Sequence, residues 1–261
     1  MTSVTVASPH ALLRFEVLQS FPELVHGISD RTSGSMYPQD AGGRPRLAAA
    51  LGIPERALVP TRQVHGSEIV RVPDPGWDDA RGKDGLITVT PGRYLLGYFA
   101  DCVPLLAYDP VRRAVGLAHA GWRGTVQRIA ERLVAELVAA FGVQPEDLRV
   151  GIGPSIGPCC YEVGTDVIAQ VREELPEGGE LLRSGRPGHA FFDLWAANRQ
   201  GLVRAGVRPA HIEVTAQCTS CHVERFFSYR REGQLNGLFG AVIGIRPEVA
   251  NRQSPIVNRQ S

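Results

Sequence analysis

The longest periodic apolar pattern falls between Thr125 and Phe141, where Val126, Ile129, Ala130, Leu133, Val134, Leu137, Val138 and Phe141 recur at three- and four-residue spacing. That period gathers them on one face of an amphipathic helix, which Gly142 and Pro145 bring to an end. Weaker helical patterns follow Arg46, occupy 165–175, and start at the N-cap residue Asp193 before stopping near Gly206. Short apolar runs at 86–89, 94–99, 115–118, 148–152, 212–214 and 238–245 read as strands. Strands interleaved with helices predict an α/β (α+β) sandwich, with mixed β-sheets flanked by helices. Residues 31–45 read as a mobile polar loop. The repeated Asn-Arg-Gln-Ser at 251–254 and 258–261 reads as a disordered, non-functional tail after a single domain spanning 1–250.

Composition narrows the function. A chain of 261 residues with 43% hydrophobic content and a net charge of +1 buries an ordinary core, so a metal is not needed merely to hold it together. Without a dense basic run it lacks the electrostatic footprint of nucleic-acid binding. No apolar stretch reaches the roughly 18 residues of a membrane span, and the start lacks a basic region followed by an apolar run. The five cysteines, an odd count, fit reduced thiols better than a disulfide framework. The expectation is a cytoplasmic protein acting on small molecules; nothing in the sequence bears on its oligomeric state. Lys83, the only lysine, sits in a polar RGKDG turn, which removes Schiff-base and Walker-loop chemistry and leaves arginines and backbone amides to hold any phosphate.

Three segments break the apolar pattern with reactive side chains. His65 precedes a glycine in TRQVHG; a lone histidine is more often a hydrogen-bonded structural residue than a ligand. Asp101 and Cys102 interrupt an apolar run that otherwise reads as buried strand, although a single cysteine is usually a small hydrophobe. His119 ends another strand, which turns through Gly121 and Gly124 into the long helix, with Arg123 suited to phosphate or carboxylate beside that helix start. Two histidines and a cysteine make a good ligand set for zinc with one position open, but their spacing is too long to show that they converge. Cys159 and Cys160 read as bystander thiols, because adjacent cysteines seldom chelate one ion without strain. The stretch from Cys218 to His222 matches a haem-attachment pattern formally and could equally be half of a zinc site. Haem attachment belongs to exported proteins and is set aside.

Taken together, TRQVHG at 61–66, ADCVPLLAYDP at 100–110, AHAGWRGT at 118–125, GPSIGPCCYEVG at 153–164, FDLWAANR at 192–199 and CTSCHVERFFSYRREG at 218–233 resemble the YfiH-type laccase-domain family. The resemblance runs in order from about residue 25 to about residue 245. It implies an α/β sandwich and a metal held by His65, Cys102 and His119. It also implies a purine nucleoside phosphorylase taking adenosine, inosine or methylthioadenosine plus phosphate to free base and ribose 1-phosphate, with some adenosine deaminase activity. Phosphorolysis requires an anion site and a stabilised leaving group, for which Arg123 is the phosphate-binding candidate. Proton transfer, above all in deamination, calls for a carboxylic acid, and Asp101 and Glu162 are the candidates. Trp122, Phe226, Phe227 and Tyr229 could stack on a purine, but buried aromatics belong to cores more often than to ligand sites.

Two other classes compete. A His-Cys-His set also accepts copper, so a copper-dependent polyphenol oxidoreductase is one alternative; yet the seven histidines include no H-x-H pair of the kind multicopper oxidases use. The other is a cysteine hydrolase with Cys102 as nucleophile and His119 as base, acting in peptidoglycan precursor editing.

Overall fold

A computed structural model describes residues 12–37, 40, 42–73 and 82–247. Among the described residues thirteen strands are formed, in chain order β1 (Leu24–Ile28), β2 (Leu58–Pro60), β3 (Ile69–Arg71), β4 (Gly85–Thr88), β5 (Tyr94–Phe99), β6 (Val103–Asp109), β7 (Ala114–Ala120), β8 (Arg149–Ile152), β9 (Glu162–Val163), β10 (Leu182–Ser184), β11 (Ala190–Phe192), β12 (Ile212–Val214) and β13 (Phe239–Ile245). They make a four-stranded sheet in the order β1-β13-β5-β2 and a six-stranded sheet in the order β12-β8-β6-β7-β4-β3. A small sheet, β10-β11-β9, stands apart. Both large sheets are mixed: β2 runs parallel to β5, β3 to β4 and β12 to β8, while the remaining pairings are antiparallel. The helices are α1 (Glu16–Gln19), α2 (Gly43–Leu51), α3 (Trp122–Val126), α4 (Ile129–Phe141), α5 (Thr165–Glu174), α6 (Leu194–Arg204) and α7 (Tyr229–Glu232).

Alternation along the central strands explains the layering, since successive side chains leave opposite faces. Along β6, Leu106 and Tyr108 enter the core between the two sheets, whereas Val103, Leu105 and Ala107 meet the helices. Strand β7 divides the same way, with Val115 and Leu117 inward and Ala114, Ala118 and Ala120 toward α4 and α6. On the other sheet, Leu95 and Phe99 join the inter-sheet core while Tyr94 and Leu96 pack with Leu47 and Leu51 of α2. Helix, sheet, sheet and helix therefore stack with every interface apolar. This is the predicted sandwich.

Two expectations need correction. The single helix expected over 125–141 is α3 followed by α4, because Arg128 between them adopts a left-handed φ of 61°. Its guanidinium donates to the Glu174 carbonyl at 2.7 Å, tying the break to the end of α5. The stretch 31–45 is not a polar loop throughout: Met36 is fully buried against Leu47, Arg46 donates to the Ser33 carbonyl at 2.8 Å, and α2 starts at Gly43. The tail 251–261 lies outside the described residues. Among those described, no helix is long and apolar enough to cross a membrane.

Candidate active site

The apolar run that continues from β5 into β6 changes sheets at Asp101, whose φ of 89° makes the turn. Cys102 is thereby delivered to the seam between the sheets, half-buried. His119 reaches the same place from β7, its antiparallel neighbour, with only 3% of its surface exposed. His65 comes from the segment after β2. There the Gln63 side chain mimics a strand, donating to the Tyr98 carbonyl at 2.7 Å and accepting from the Tyr98 amide at 3.2 Å. That brace leaves His65 exposed in a left-handed conformation with φ 62°.

Asp84 organises both histidines. Its fully buried carboxylate accepts the amides of Val64, His65 and Gly66 at 3.2, 3.0 and 2.8 Å, gathering the turn that His65's positive φ creates. It also lies 2.8 Å from Nδ1 of His119. Burial resists its ionisation, but the His119 bond, the Gly66 amide and the His119 charge together hold it below the usual carboxylate range. An ionised Asp84 can only accept, so Nδ1 of His119 carries the proton and Nε2 is left for the thiol or a metal.

Cys102 and His119 polarise one another. Burial pushes the thiol up, yet the His119 charge and hydrogen bonds from both histidines outweigh it and bring Cys102 down to about 6. For His119, burial opposes protonation, and the Cys102 and Asp84 charges and bonds win, raising it to about 9. Donor atoms of His65, Cys102 and His119 all lie within 4.8 Å of one another. A Cβ placed on Gly121 would sit 3.1 Å from the Cys102 sulfur and 3.3 Å from Cδ2 of His65, so this glycine keeps the space between the donors open. A thiolate, two imidazoles and an orienting carboxylate fit a zinc or copper ion with a position to spare.

His65, Cys102 and His119 line a cavity of about 930 Å³ that also takes in Arg62, Arg123, Arg230, Trp122, Tyr161 and Tyr229. The Arg123 guanidinium lies 4.5 Å over the Trp122 ring and that of Arg230 lies 5.1 Å over Tyr161, which places cationic groups against flat aromatic walls. Val64, Tyr229 and Leu235 are exposed at 61%, 57% and 43%, giving the cavity an apolar lining open to solvent.

Of the residues singled out in the sequence, His65, Cys102, His119, Asp101 and Arg123 converge here. Asp101 lies in the wall with both oxygens engaged, accepting the Thr219 hydroxyl at 2.6 Å and the Arg230 amide at 2.7 Å. Glu162 is not among the lining residues: its carboxylate pairs with Arg186 at 3.0 Å, and what it turns toward the site is its carbonyl, which accepts from Arg230 at 2.8 Å. Phe226 and Phe227 are buried in the inter-sheet core, so of the four aromatics singled out in the sequence Trp122 and Tyr229 reach the cavity. Asp84, Tyr161 and Arg230 were missed. Asp84 was hidden in a turn that reads as solvated, whereas Tyr161 and Arg230 lay inside the quoted blocks with no local pattern to single them out.

The family model described as multi-copper polyphenol oxidoreductase laccase matches residues 41–246. "Purine nucleoside phosphorylase YlmD" of Geobacillus stearothermophilus is 42% identical over 214 residues, 78% of either chain. The crystal structure of YlmD from that organism superposes with a TM-score of 0.82 at 38% identity, covering 88% of this chain and 94% of that one. The YfiH protein of Bacillus licheniformis superposes with a TM-score of 0.80 at 33% identity, covering 86% and 93%. By its matched length, its fold and these relatives, the chain belongs to the YfiH and YlmD family of laccase-domain proteins.

Proposed function

We propose that this chain is a purine nucleoside phosphorylase, converting adenosine, inosine or methylthioadenosine and phosphate to free base and ribose 1-phosphate. The observation that carries the reading is the convergence of His65, Cys102 and His119 with three arginines and aromatic walls in one cavity; the name borne by the YlmD relative agrees with it. Arg123 and Arg230 supply the charge that holds phosphate, and Trp122, Tyr161 and Tyr229 supply faces against which a purine can lie. Phosphate oxygen attacks the anomeric carbon while the bond to the base breaks, the electron pair leaving with the purine, which takes up a proton. Arginines fixed against aromatic rings are oriented before substrate arrives, which is where such a site gains rate. Zinc is the metal this reading assigns, with copper as the other ion the donors accept. When bound, it supplies Lewis acidity toward a polar group of the substrate.

Two secondary activities rest on particular residues. Asp101 is the one carboxylate among the described residues lining the cavity, so adenosine deamination at this site would draw its acid from there. The lowered Cys102 thiol beside His119 is what a cysteine hydrolase would need, but only with the metal absent, since a metal-bound thiolate is a poor nucleophile. Against a multicopper oxidase, only one cluster among the described residues contains histidine. Five free thiols agree with a cytoplasmic location.

The test is phosphate-dependent release of base from adenosine and inosine by wild type and Cys102→Ala, with metal measured on both. Loss of the metal held by His65, Cys102 and His119, and of phosphorolysis with it, is the expected result in the variant. Failure of wild type to release base from any nucleoside, or release that ignores phosphate, would overturn the reading.

A further inference from the structure

Cys159, Cys160, Cys218 and Cys221, expected to be bystanders or half of a site, gather in one cluster outside the cavity lining. All four sulfurs lie within 4.8 Å of one another. Cys159 and Cys160 stand on a tight turn in which the amides of Cys160 and Tyr161 both donate to the Gly157 carbonyl. From that turn both thiols approach the same partner, the Cys221 sulfur, at 3.6 and 3.5 Å. Adjacent cysteines can therefore share one target here, contrary to the expectation from sequence.

The second pair is a Cys-x-x-Cys knuckle. Cys218 forms a parallel bridge with Ser155, and the His222 amide closes the turn onto the Cys218 carbonyl at 3.0 Å. The Gly157 amide donates to the Cys218 sulfur at 3.2 Å. A Cβ on Gly157 would lie 2.6 Å from the Trp195 ring and 3.2 Å from Cβ of Cys218, so glycine permits that approach. A tetrahedral zinc with bonds of about 2.3 Å separates its sulfurs by about 3.8 Å. The two contacts to Cys221, at 3.6 and 3.5 Å, lie within a few tenths of an ångström of that value, and every other pair lies within 4.8 Å. A disulfide at the Cys221 sulfur could take only one of the two thiols that approach it, whereas a single thiophilic ion uses all four.

We propose that Cys159, Cys160, Cys218 and Cys221 bind one zinc ion as a closed tetrathiolate centre, distinct from His65, Cys102 and His119. Four protein sulfurs leave no position for substrate, so the centre is structural. On binding, the thiols release their protons to solvent. The ion clamps the turn that carries Ile156 and Tyr161 to the segment that leads on to Tyr229 and Arg230, and all four of these residues line the cavity. Thr219, inside the knuckle, holds Asp101 through its hydroxyl, so the clamp also bears on the turn that presents Cys102.

The decisive material is Cys102→Ala protein, purified under reductant and dialysed against zinc, because every sulfur ligand it retains belongs to this cluster. About one tightly held zinc per chain should remain where wild type holds about two, as one closed and one open centre require. Cobalt substituted into the same variant should give the intense charge-transfer absorption of a sulfur-rich tetrahedral site. Adding Cys221→Ser should remove both signals while circular dichroism reports whether the fold survives; the cobalt spectrum of Cys102→Ala decides the matter even if that second variant fails to fold. A zinc-free Cys102→Ala protein after dialysis, a cobalt spectrum without sulfur ligation, an iron–sulfur chromophore in the protein as purified, or a disulfide among these cysteines under reductant would each overturn the proposal.

Discussion

Asp84 carries more of the candidate centre than any residue that would touch a metal. Its carboxylate positions His65 through three backbone amides and His119 through one ring nitrogen. In Asp84→Asn, the amide group of asparagine would turn a donor toward donors that converge on that point, so part of the array loses its acceptor. We expect zinc affinity at the His65, Cys102 and His119 centre to fall about 10–100-fold, the usual cost of losing an orienting partner. Competition with a chromophoric chelator measures it, and unchanged affinity would show that the histidines hold their places without the charge. His26 makes a separate prediction about stability. It is 2% exposed, and its Nε2 accepts the Phe15 amide at 3.0 Å, which requires the neutral ring. Burial, with the Arg14 charge beside it, lowers it from 6.5 to about 4. Between those values the unfolded chain binds a proton that the folded one refuses. Its contribution is therefore complete above pH 6.5 and is lost as pH falls toward 4, amounting to about 3 kcal/mol. Urea denaturation of wild type and His26→Gln at pH 7 and pH 4.5 should find wild type losing most of its relative advantage at the lower pH; a gap independent of pH would sink the assignment.

The turns between strands decide the site at the scale of elements. The turn from β5 to β6 depends on Asp101, which holds Thr219 and the amide of Arg230. With both oxygens engaged, its geometry is that of a tether for the arginine, and two substitutions separate this from proton transfer. Asp101→Asn can keep one acceptor while the Thr219 hydroxyl reverses its role, so kcat should fall less than about 10-fold if the residue positions. Loss of a general acid would cost about 100-fold or more. Asp101→Ala, which releases Arg230, should raise the KM for phosphate as well. The turn from β7 into α3 depends on Gly121, and Gly121→Ala should weaken metal binding by pressing on Cys102 and His65 while leaving the helical signal unchanged. Neither turn could be read from apolar periodicity. That pattern found β5, β7 and the α4 face because those elements are long and regularly buried. It ran β5 into β6 because the change of sheet lies in one backbone angle at Asp101, and ran α3 into α4 because the left-handed Arg128 sits within a helical spacing. Strands as short as β2, β3 and β10 offer three residues each, too few to show a period. His65, Cys102 and His119 were marked by residue type and by resemblance; only the tertiary fold brings their separate turns together.

At the scale of the molecule, the candidate metal centre lies where the two large sheets meet. His65 follows β2 and Cys102 follows β5, both strands of the four-stranded sheet, whereas His119 belongs to β7 of the six-stranded one. An ion held by all three donors joins the layers of the sandwich. In the unfolded chain the donors are separated by long loops and bind weakly, so binding energy at this centre becomes folding energy. With free zinc at about 100 times the dissociation constant, stabilisation is about 3 kcal/mol, which for a chain of this size raises Tm by about 5–10 °C. Scanning calorimetry of zinc-loaded and chelator-treated protein checks this. Because the four clustered cysteines would contribute a shift of their own, the comparison must include Cys102→Ala. The share of the chelator-induced drop that disappears in the variant belongs to the centre between the sheets, and the share that persists belongs to the thiolate cluster. A drop of equal size in both proteins, with metal loss from wild type verified, would mean that the sheets pack independently of the ion at their seam. The centre would then be a site carried by the sandwich without contributing to its stability.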